Sequence, residues 1–478
     1  MWALLLIPSA LVIFLCVIVI RAVRFSPKPQ AATDDEPVSF DSKRAADDLC
    51  ALVRCKTVSY ADHSLEDDAE FQKLIDLLPS LYPNVASVCE FTRLPDRALL
   101  FRWKGKTDGA PAVMMAHYDV VPVNEDAWEL PPFEAAIKDG CIWGRGTLDT
   151  KVTINGILFS ADHLISQGFV PECDVYFAFS GGEEVNGEGA IRIVEYFEQN
   201  SIEPAFVIDE GGAVVENVFP GLKSPCGLIG IAEKGMMDVK YTVRSNGGHA
   251  SAPKPGAPID KLSTACLSVL SSPFKSQLTP PVAEMFDTLG RHSSFVYRII
   301  FANIKIFMPV LDAICKKSGG ELNALMRTTV AFTQASGSAA SNVIPPEASM
   351  VSNIRLNPND TVDSALEHLK KAVNDDSVQI SCINGMNPSR ISRTDCEGWS
   401  KVANAVASTW KGCIVSPYLM VQCSDSRHYG RISDRVYRFS AMDLTSEERA
   451  TIHGNNERIR LEALDKTVEF YIRLMKKC

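Results

Sequence analysis

Apolar runs in the first half of the chain end, one after another, on an acid or a histidine. Ala112–Met115 leads to His117 and Asp119, Val175–Phe179 to Glu183 and Glu184, and Ala205–Ile208 to Asp209. Short continuous apolar runs bounded by turn residues read as buried strands of a parallel sheet. Between them the period changes. Ile154, Ile157, Leu158, Ala161, Leu164 and Ile165 recur at helical spacing and Gly168 stops them, and Ala190, Ile193, Val194 and Phe197 repeat the pattern. These β-α units predict an α/β fold with a mostly parallel-sheet catalytic domain. Ligands of open α/β sheets bind outside the carboxyl ends of the strands. Four carboxylates and a histidine therefore aim at one crevice, where they repel each other and resist burial unless a cation is present. A metal site is the simplest explanation.

The pattern changes character near Lys234. Met237–Val243 alternates as a half-buried strand, Ile259–Leu270 reads as a helix, Ser349–Leu356 alternates again, Thr361–Val373 is an amphipathic helix, and Val378–Ile383 is a short strand. This order predicts an inserted α+β lid domain over 234–388, with the catalytic domain on either side of it at 43–233 and 389–478. An extra, largely helical stretch at about 274–336 includes the very apolar Val296–Leu311. It reads as packing within the lid or as an oligomer contact; Arg298, Asn303 and Lys305 interrupt it and argue against a second membrane contact.

Trp2–Ile20 is almost unbroken apolar sequence, interrupted only by Pro8 and Ser9, close to the ~20 residues that span a bilayer. No basic residue precedes it and no small-x-small site follows, so an uncleaved transmembrane helix over 1–24 is expected rather than a signal peptide. Arg21, Arg24 and Lys28 on its C-terminal side place the catalytic domain on the cytoplasmic face; an extracytoplasmic or secreted protein is the alternative. The polar stretch 25–42, with Pro27, Pro29 and Pro37, reads as a tether. The 14 cysteines are scattered without a C-x-x-C motif, which suits reduced thiols and disfavours zinc held by cysteine. A net charge of −10 argues against nucleic acid as a partner.

Taken singly, the polar residues at these strand ends are ambiguous. Asp119 is spaced to orient the His117 imidazole, but a satisfied surface histidine fits as well. Asp149, in Trp143–Lys151, could be a turn residue or a helix N-cap. The Glu183–Glu184 pair makes sense if one carboxylate binds a cation and the other takes a proton; a solvated acidic loop is the bland reading. No G-x-S-x-G elbow and no H-E-x-x-H motif occurs, which disfavours a serine hydrolase and a zincin.

Read together, six motifs resemble one family in its own order. They are Met114–Val123, Gly144–Lys151, Gly182–Glu184, Ile208–Gly212, Gly247–Pro253 and Ile452–Glu457. The family is the two-zinc metallopeptidases and amidohydrolases that include aminoacylase, glutamate carboxypeptidase, succinyl-diaminopimelate desuccinylase and carboxypeptidase S. The resemblance covers roughly 40–478, and the long insert after Phe274 is most similar to the carboxypeptidase S branch. It implies two divalent metal ions, Zn²⁺ by the family's habit, with His117 and Glu184 on opposite metals, Asp209 and His453 completing the two sites, and Asp149 bridging them. Glu183 is then the free carboxylate that takes a proton from the metal-bridging water. His249 matches a histidine that stabilises the oxyanion, often across a subunit boundary, so a homodimer is possible. Asn342 and Arg355 resemble contacts to the substrate carboxylate. Where the family has Gly-Gly-Thr-Asp-Ser-Arg, this chain has Gln422-Cys423-Ser424-Asp425-Ser426-Arg427, which bears on substrate choice more than on catalysis. Cys423 itself reads as a buried, inert thiol. The expected activity is hydrolysis of an amide next to a terminal carboxylate, as a carboxypeptidase on small peptides. The alternatives are an N-acyl-amino-acid hydrolase and, in another class, a catalytically silent binding protein.

Overall fold

The strands that end on acids lie at the centre of an eight-stranded sheet. The structure, a computed structural model, describes residues 2–218 and 221–478, and the side chains of all of these except 2–8 and 318. In chain order the first strands are β1 (Glu90–Leu94), β2 (Ala98–Trp103), β3 (Ala112–His117), β4 (Val175–Ser180), β5 (Phe206–Val215) and β6 (Cys226–Glu233). An inserted domain supplies β7 (Gly235–Arg244), β8 (Gly248–His249), β9 (Thr329–Ser336), β10 (Val343–Ile344), β11 (Glu347–Leu356) and β12 (Gln379–Met386). After it come β13 (Ile414–Met420) and β14 (Val436–Asp443).

The large sheet has the order β1-β2-β4-β3-β5-β14-β6-β13. It is mixed rather than mostly parallel. β3 runs parallel to β4 and β5, β14 to β5, and β13 to β6, whereas β1, β2 and β4 pair antiparallel. The cause at that edge is local. Asp96 and Arg97 both take a φ of 57°, and a turn that short joins only antiparallel neighbours. The lid is a separate antiparallel sheet of order β9-β11-β7-β12, and β8 and β10 form a two-stranded ribbon at its tip.

Among the helices, α1 (Trp2–Arg24) precedes the folded domains, and α2 (Lys151–Ser166) and α3 (Gly189–Gln199) are the crossovers expected from the helical periodicity. The lid contributes α4 (Pro258–Ser271), the insert α5 (Pro280–His292), α6 (Phe295–Ala302), α7 (Ile304–Ser318) and α8 (Gly320–Met326), and the lid again α9 (Val362–Val373). The chain ends with α10 (Glu397–Thr409) and α11 (Leu461–Met475). α2 is buried nearly all round. Gly156 lets it approach α11, because a Cβ there would stand 2.7 Å from Thr467 Cγ2.

The insert divides: Thr329–Ser336 is the lid edge strand β9, whereas its helices α5–α8 pack outside the lid. Val282, Met285 and Leu289 of α5, with Cys315 and Met326, share a core with Ile414, Leu419 and Met420 of β13, so the insert covers the edge of the catalytic sheet. The expected tether is docked as well. Arg473 donates to the Glu36 carbonyl at 2.8 Å, Lys28 pairs with Asp287 at 2.8 Å, and Gln30 accepts from the Val415 amide at 3.2 Å. These contacts hold down a segment that the sequence reads as free. The expected membrane anchor begins on residues whose side chains lie outside the described ones; among the described residues no helix is long and apolar enough to cross a membrane.

Candidate dinuclear metal centre

At the carboxyl end of β3, His117 is buried with Nδ1 3.0 Å from the Asp119 carbonyl. Its Nε2 faces Asp149 Oδ1 at 3.0 Å and Glu210 Oε2 at 3.3 Å. His453, far along the chain in a left-handed turn with φ 59°, brings Nε2 to 3.0 Å from Asp149 Oδ2 and 3.1 Å from Glu184 Oε2. Asp149 thus stands between two imidazoles with one oxygen toward each. Donor atoms of His117, Asp149 and Glu184 lie within 4.8 Å of one another, and so do those of His117, Glu183 and Glu210.

Glu210 takes the place that the sequence reading gave to Asp209. The expected strand stops at Ile208, but β5 continues to Val215, so the two acids are neighbours within one strand and neighbouring side chains point to opposite faces. Asp209 is buried on the other side, where Oδ2 accepts the Ser426 amide at 3.0 Å. Asp119 holds the glutamate pair by its backbone: Oδ1 accepts the Glu183 N–H at 3.1 Å and Oδ2 the Glu184 N–H at 3.2 Å.

A further residue, Glu457, was not singled out by sequence reasoning, although it ends the Ile452–Glu457 motif. It is fully buried. Its Oε1 accepts the amides of Gly146, Leu148 and Asp149 at 3.1, 2.7 and 3.2 Å, and its Oε2 pairs with Arg145.

Charge is crowded here. Burial, with Glu210 close by, pushes the Glu183 carboxyl well above its ordinary range. Burial also raises Glu184, lifts Glu210 to about 8, and lifts Asp425, which accepts a hydrogen bond from the Ser180 hydroxyl, to about 7. Asp149 goes the other way: burial opposes it, but hydrogen bonds from His117 and His453 hold it low. Asp149 and Glu184 in turn raise His453 to about 10. Clustered acids that burial and mutual repulsion penalise are relieved by a bound cation. Two imidazoles with Asp149, Glu184 and Glu210 form a nitrogen–oxygen donor set that suits borderline divalent ions, and a carboxylate with one oxygen toward each histidine is placed to be shared. The residues present fit a pair of metal ions.

A cleft of about 620 Å³ opens beside this group, lined by Asp149, Glu183, Glu210 and His453. Its lining also includes the apolar or aromatic Leu228, Tyr418, Met420, Met442, Leu444 and Ile452. Cys423 also lines it and is only half-buried, so it is not the sequestered thiol that was expected. Its Sγ accepts from Arg355 Nη1 at 3.3 Å, joining lid strand β11 to the 421–428 loop. His249 and Asn342 lie together at the lid tip, where the Ala250 amide donates to the Asn342 carbonyl at 3.0 Å and His249 Nδ1 accepts from the Ser251 amide at 3.1 Å. Among the described residues, no hydrogen bond or ion pair ties His249 or Asn342 to the His117–Asp149–His453 group.

Residues 113–477 match the model of "Peptidase family M20/M25/M40". "Probable carboxypeptidase S-like 2" of Dictyostelium discoideum is 33% identical over 98% of this chain and 93% of its own length. "N-fatty-acyl-amino acid synthase/hydrolase PM20D1" of Xenopus tropicalis is also 33% identical, over 91% of this chain and 86% of its own. Among solved structures, an M20 family metallo-carboxypeptidase from Sulfolobus solfataricus superposes with a TM-score of 0.66 at 17% identity, covering 90% of this chain and 98% of that one. A dinuclear metal-binding M20 peptidase of Bacillus subtilis gives 0.55 at 14% identity, over 91% and 97%. The paired histidines around one shared aspartate and the sequence match lead to the same conclusion: the chain belongs to the M20/M25/M40 family of metallopeptidases.

Proposed function

We propose that this chain hydrolyses the amide bond next to a terminal carboxylate, acting as a carboxypeptidase on small peptides. The observation that carries the reading is Asp149, with Oδ1 3.0 Å from the His117 ring and Oδ2 3.0 Å from the His453 ring. His117, Asp149 and Glu210 would hold one divalent ion, and His453, Asp149 and Glu184 the other, with Zn²⁺ as the metal. Such a pair would supply an acidified water and polarisation of the amide carbonyl.

The chain's own residues supply the rest. Glu183 accepts the proton of the attacking water and delivers it to the amide nitrogen as the C–N bond breaks, so the proton leaves with the amine. Burial raises the Glu183 carboxyl above its ordinary range, the direction that makes a carboxylate a better proton acceptor. Asp119 fixes the Glu183 and Glu184 backbone and the orientation of His117. Arg355 offers a guanidinium for the substrate carboxylate; Asn342 lies at the lid tip with His249 and would reach the substrate from there. His249 would stabilise the oxyanion, delivered by lid movement or by a second subunit.

A second reading, hydrolysis of N-acyl amino acids, draws support from the apolar side chains that line the cleft together with the acids and from the relatives named N-fatty-acyl-amino acid synthase/hydrolase. Both readings share one chemistry and differ in what lies on the acyl side. A panel of C-terminal dipeptides and N-acyl amino acids, run with metal-loaded protein, chelated protein and Glu183→Gln, tests them; no turnover of either class by the loaded protein would refute both.

We also read α1 as a single-pass anchor with the catalytic domain on the cytoplasmic side. The support is the apolar run Trp2–Ile20 followed by Arg21, Arg24 and Lys28.

A further inference from the structure

Two polar residues that interrupt the apolar stretch of the insert are turned inward. Asn303 is buried, and its amide donates to the Ile299 carbonyl at 2.9 Å and to the Ile18 carbonyl of α1 at 3.2 Å. Arg298 reaches back to the Ser293 carbonyl at 3.4 Å. The surface left on α6 and α7 is apolar: Phe295, Val296, Ile306, Val310 and Ile314 are exposed. α1 packs on α6 and exposes Phe14, Val17 and Val23, among others. More than half of the large apolar side chains exposed among the described residues are on these three helices. Scattered exposed apolar residues need no explanation, but a contiguous patch marks an interaction surface.

Charge narrows the partner. With Arg298 turned inward, α7 exposes Lys305, Lys316 and Lys317 against Asp312, which already pairs with Lys316 and Arg327, in a chain of net charge −10, and Arg21 and Arg24 close the end of α1. A basic rim around an apolar face complements anionic headgroups over hydrocarbon. A second copy of the chain would bring like charges together.

We propose that α6, α7 and the outward face of α1 form one docking surface for a lipid bilayer with an anionic surface. This surface is independent of whether α1 crosses the bilayer and of the amide chemistry. Beyond α7 the chain turns through Gly319 and Gly320 into α8, where Glu321 accepts from the Tyr418 hydroxyl at 2.7 Å in the cleft wall. The docked surface and the cleft are thus linked by adjoining elements.

The test is photo-crosslinking of the full chain on vesicles of phosphatidylcholine, with and without phosphatidylserine, carrying a photoactivatable acyl chain. Adducts are expected on 295–314 as well as on α1. Val296→Glu with Val310→Glu changes side chains that are already 68% and 52% exposed, so the fold, checked by thermal melting, is retained. It should remove the 295–314 adducts and leave those on α1. Lys305→Gln and Lys317→Gln should each weaken the 295–314 adducts on phosphatidylserine vesicles roughly fivefold. Adducts confined to α1, equal labelling on neutral vesicles, or chain-to-chain cross-links through α6 and α7 would each overturn the proposal.

Discussion

Glu457 Oε1 accepts the backbone N–H of Asp149 at 3.2 Å, together with those of Gly146 and Leu148. A buried carboxylate some three hundred residues downstream therefore fixes the loop that presents Asp149 to both histidines. Glu457 touches none of the clustered donor atoms; it acts by holding the loop. Glu457→Gln keeps the size but weakens three charge-assisted bonds and the pairing with Arg145. The variant should bind metal about 10–100-fold more weakly and lose about 1–3 kcal/mol of stability. Metal titration and denaturant melts measure the two effects, and unchanged metal affinity would remove Glu457 from the account.

Glu183→Gln removes the proton acceptor without changing the size of the side chain. Steady-state kinetics should show kcat lower by about 10²–10⁴-fold, with two metal ions per chain still measured by elemental analysis. Activity within a few-fold of wild type would show that another group carries the proton.

Asp209 and Glu210 separate by substitution. Glu210→Ala should lower metal stoichiometry, because its Oε2 faces the His117 ring at 3.3 Å. Asp209→Ala should leave the stoichiometry intact and lower the melting temperature, because its carboxylate accepts the buried Ser426 amide and that amide is orphaned by the change. The reverse pattern would return the ligand role to Asp209.

His249 is exposed at the lid tip. His249→Ala should depress kcat by about 10²-fold or more and leave metal content unchanged. If the residue is delivered by a second subunit, mixing His249→Ala with Glu183→Gln protein restores part of the activity once subunits exchange. A lack of recovery despite exchange would assign it to its own chain.

For topology, labelling intact cells with a membrane-impermeant thiol reagent and repeating after lysis reads the exposed side directly. The half-buried Cys141, Cys173 and Cys266 should react only after lysis if the domain faces the cytoplasm. Strong labelling before lysis would put it on the other side.

Much of the site was legible because its strands are continuous apolar runs ending on the acids themselves. β3 and β4 begin and end within a residue or two of the pattern that predicts them, and His117, Glu183 and Glu184 come together as their strand-end positions imply; Asp149, ambiguous as a turn or cap residue by itself, was placed with them by the family resemblance alone. The choice between Asp209 and Glu210 was not legible, because strand register is set by pairing with β3 and β14 and adjacent acids look alike until the register is known. Amphipathic periodicity shows which face of α5 is apolar but not what covers it, and so the insert was assigned to the lid rather than to β13. Arg298 and Asn303 were read as interruptions of an apolar face, yet both are used internally, which a one-dimensional pattern does not reveal.

The most direct test of the account is the metal content of Asp149→Ala, measured by elemental analysis on protein that has been shown to remain folded. Asp149 has one oxygen toward each histidine, so its loss should disturb both positions and leave well under one ion per chain, with activity abolished. Retention of two tightly bound ions per chain would contradict the shared-carboxylate centre.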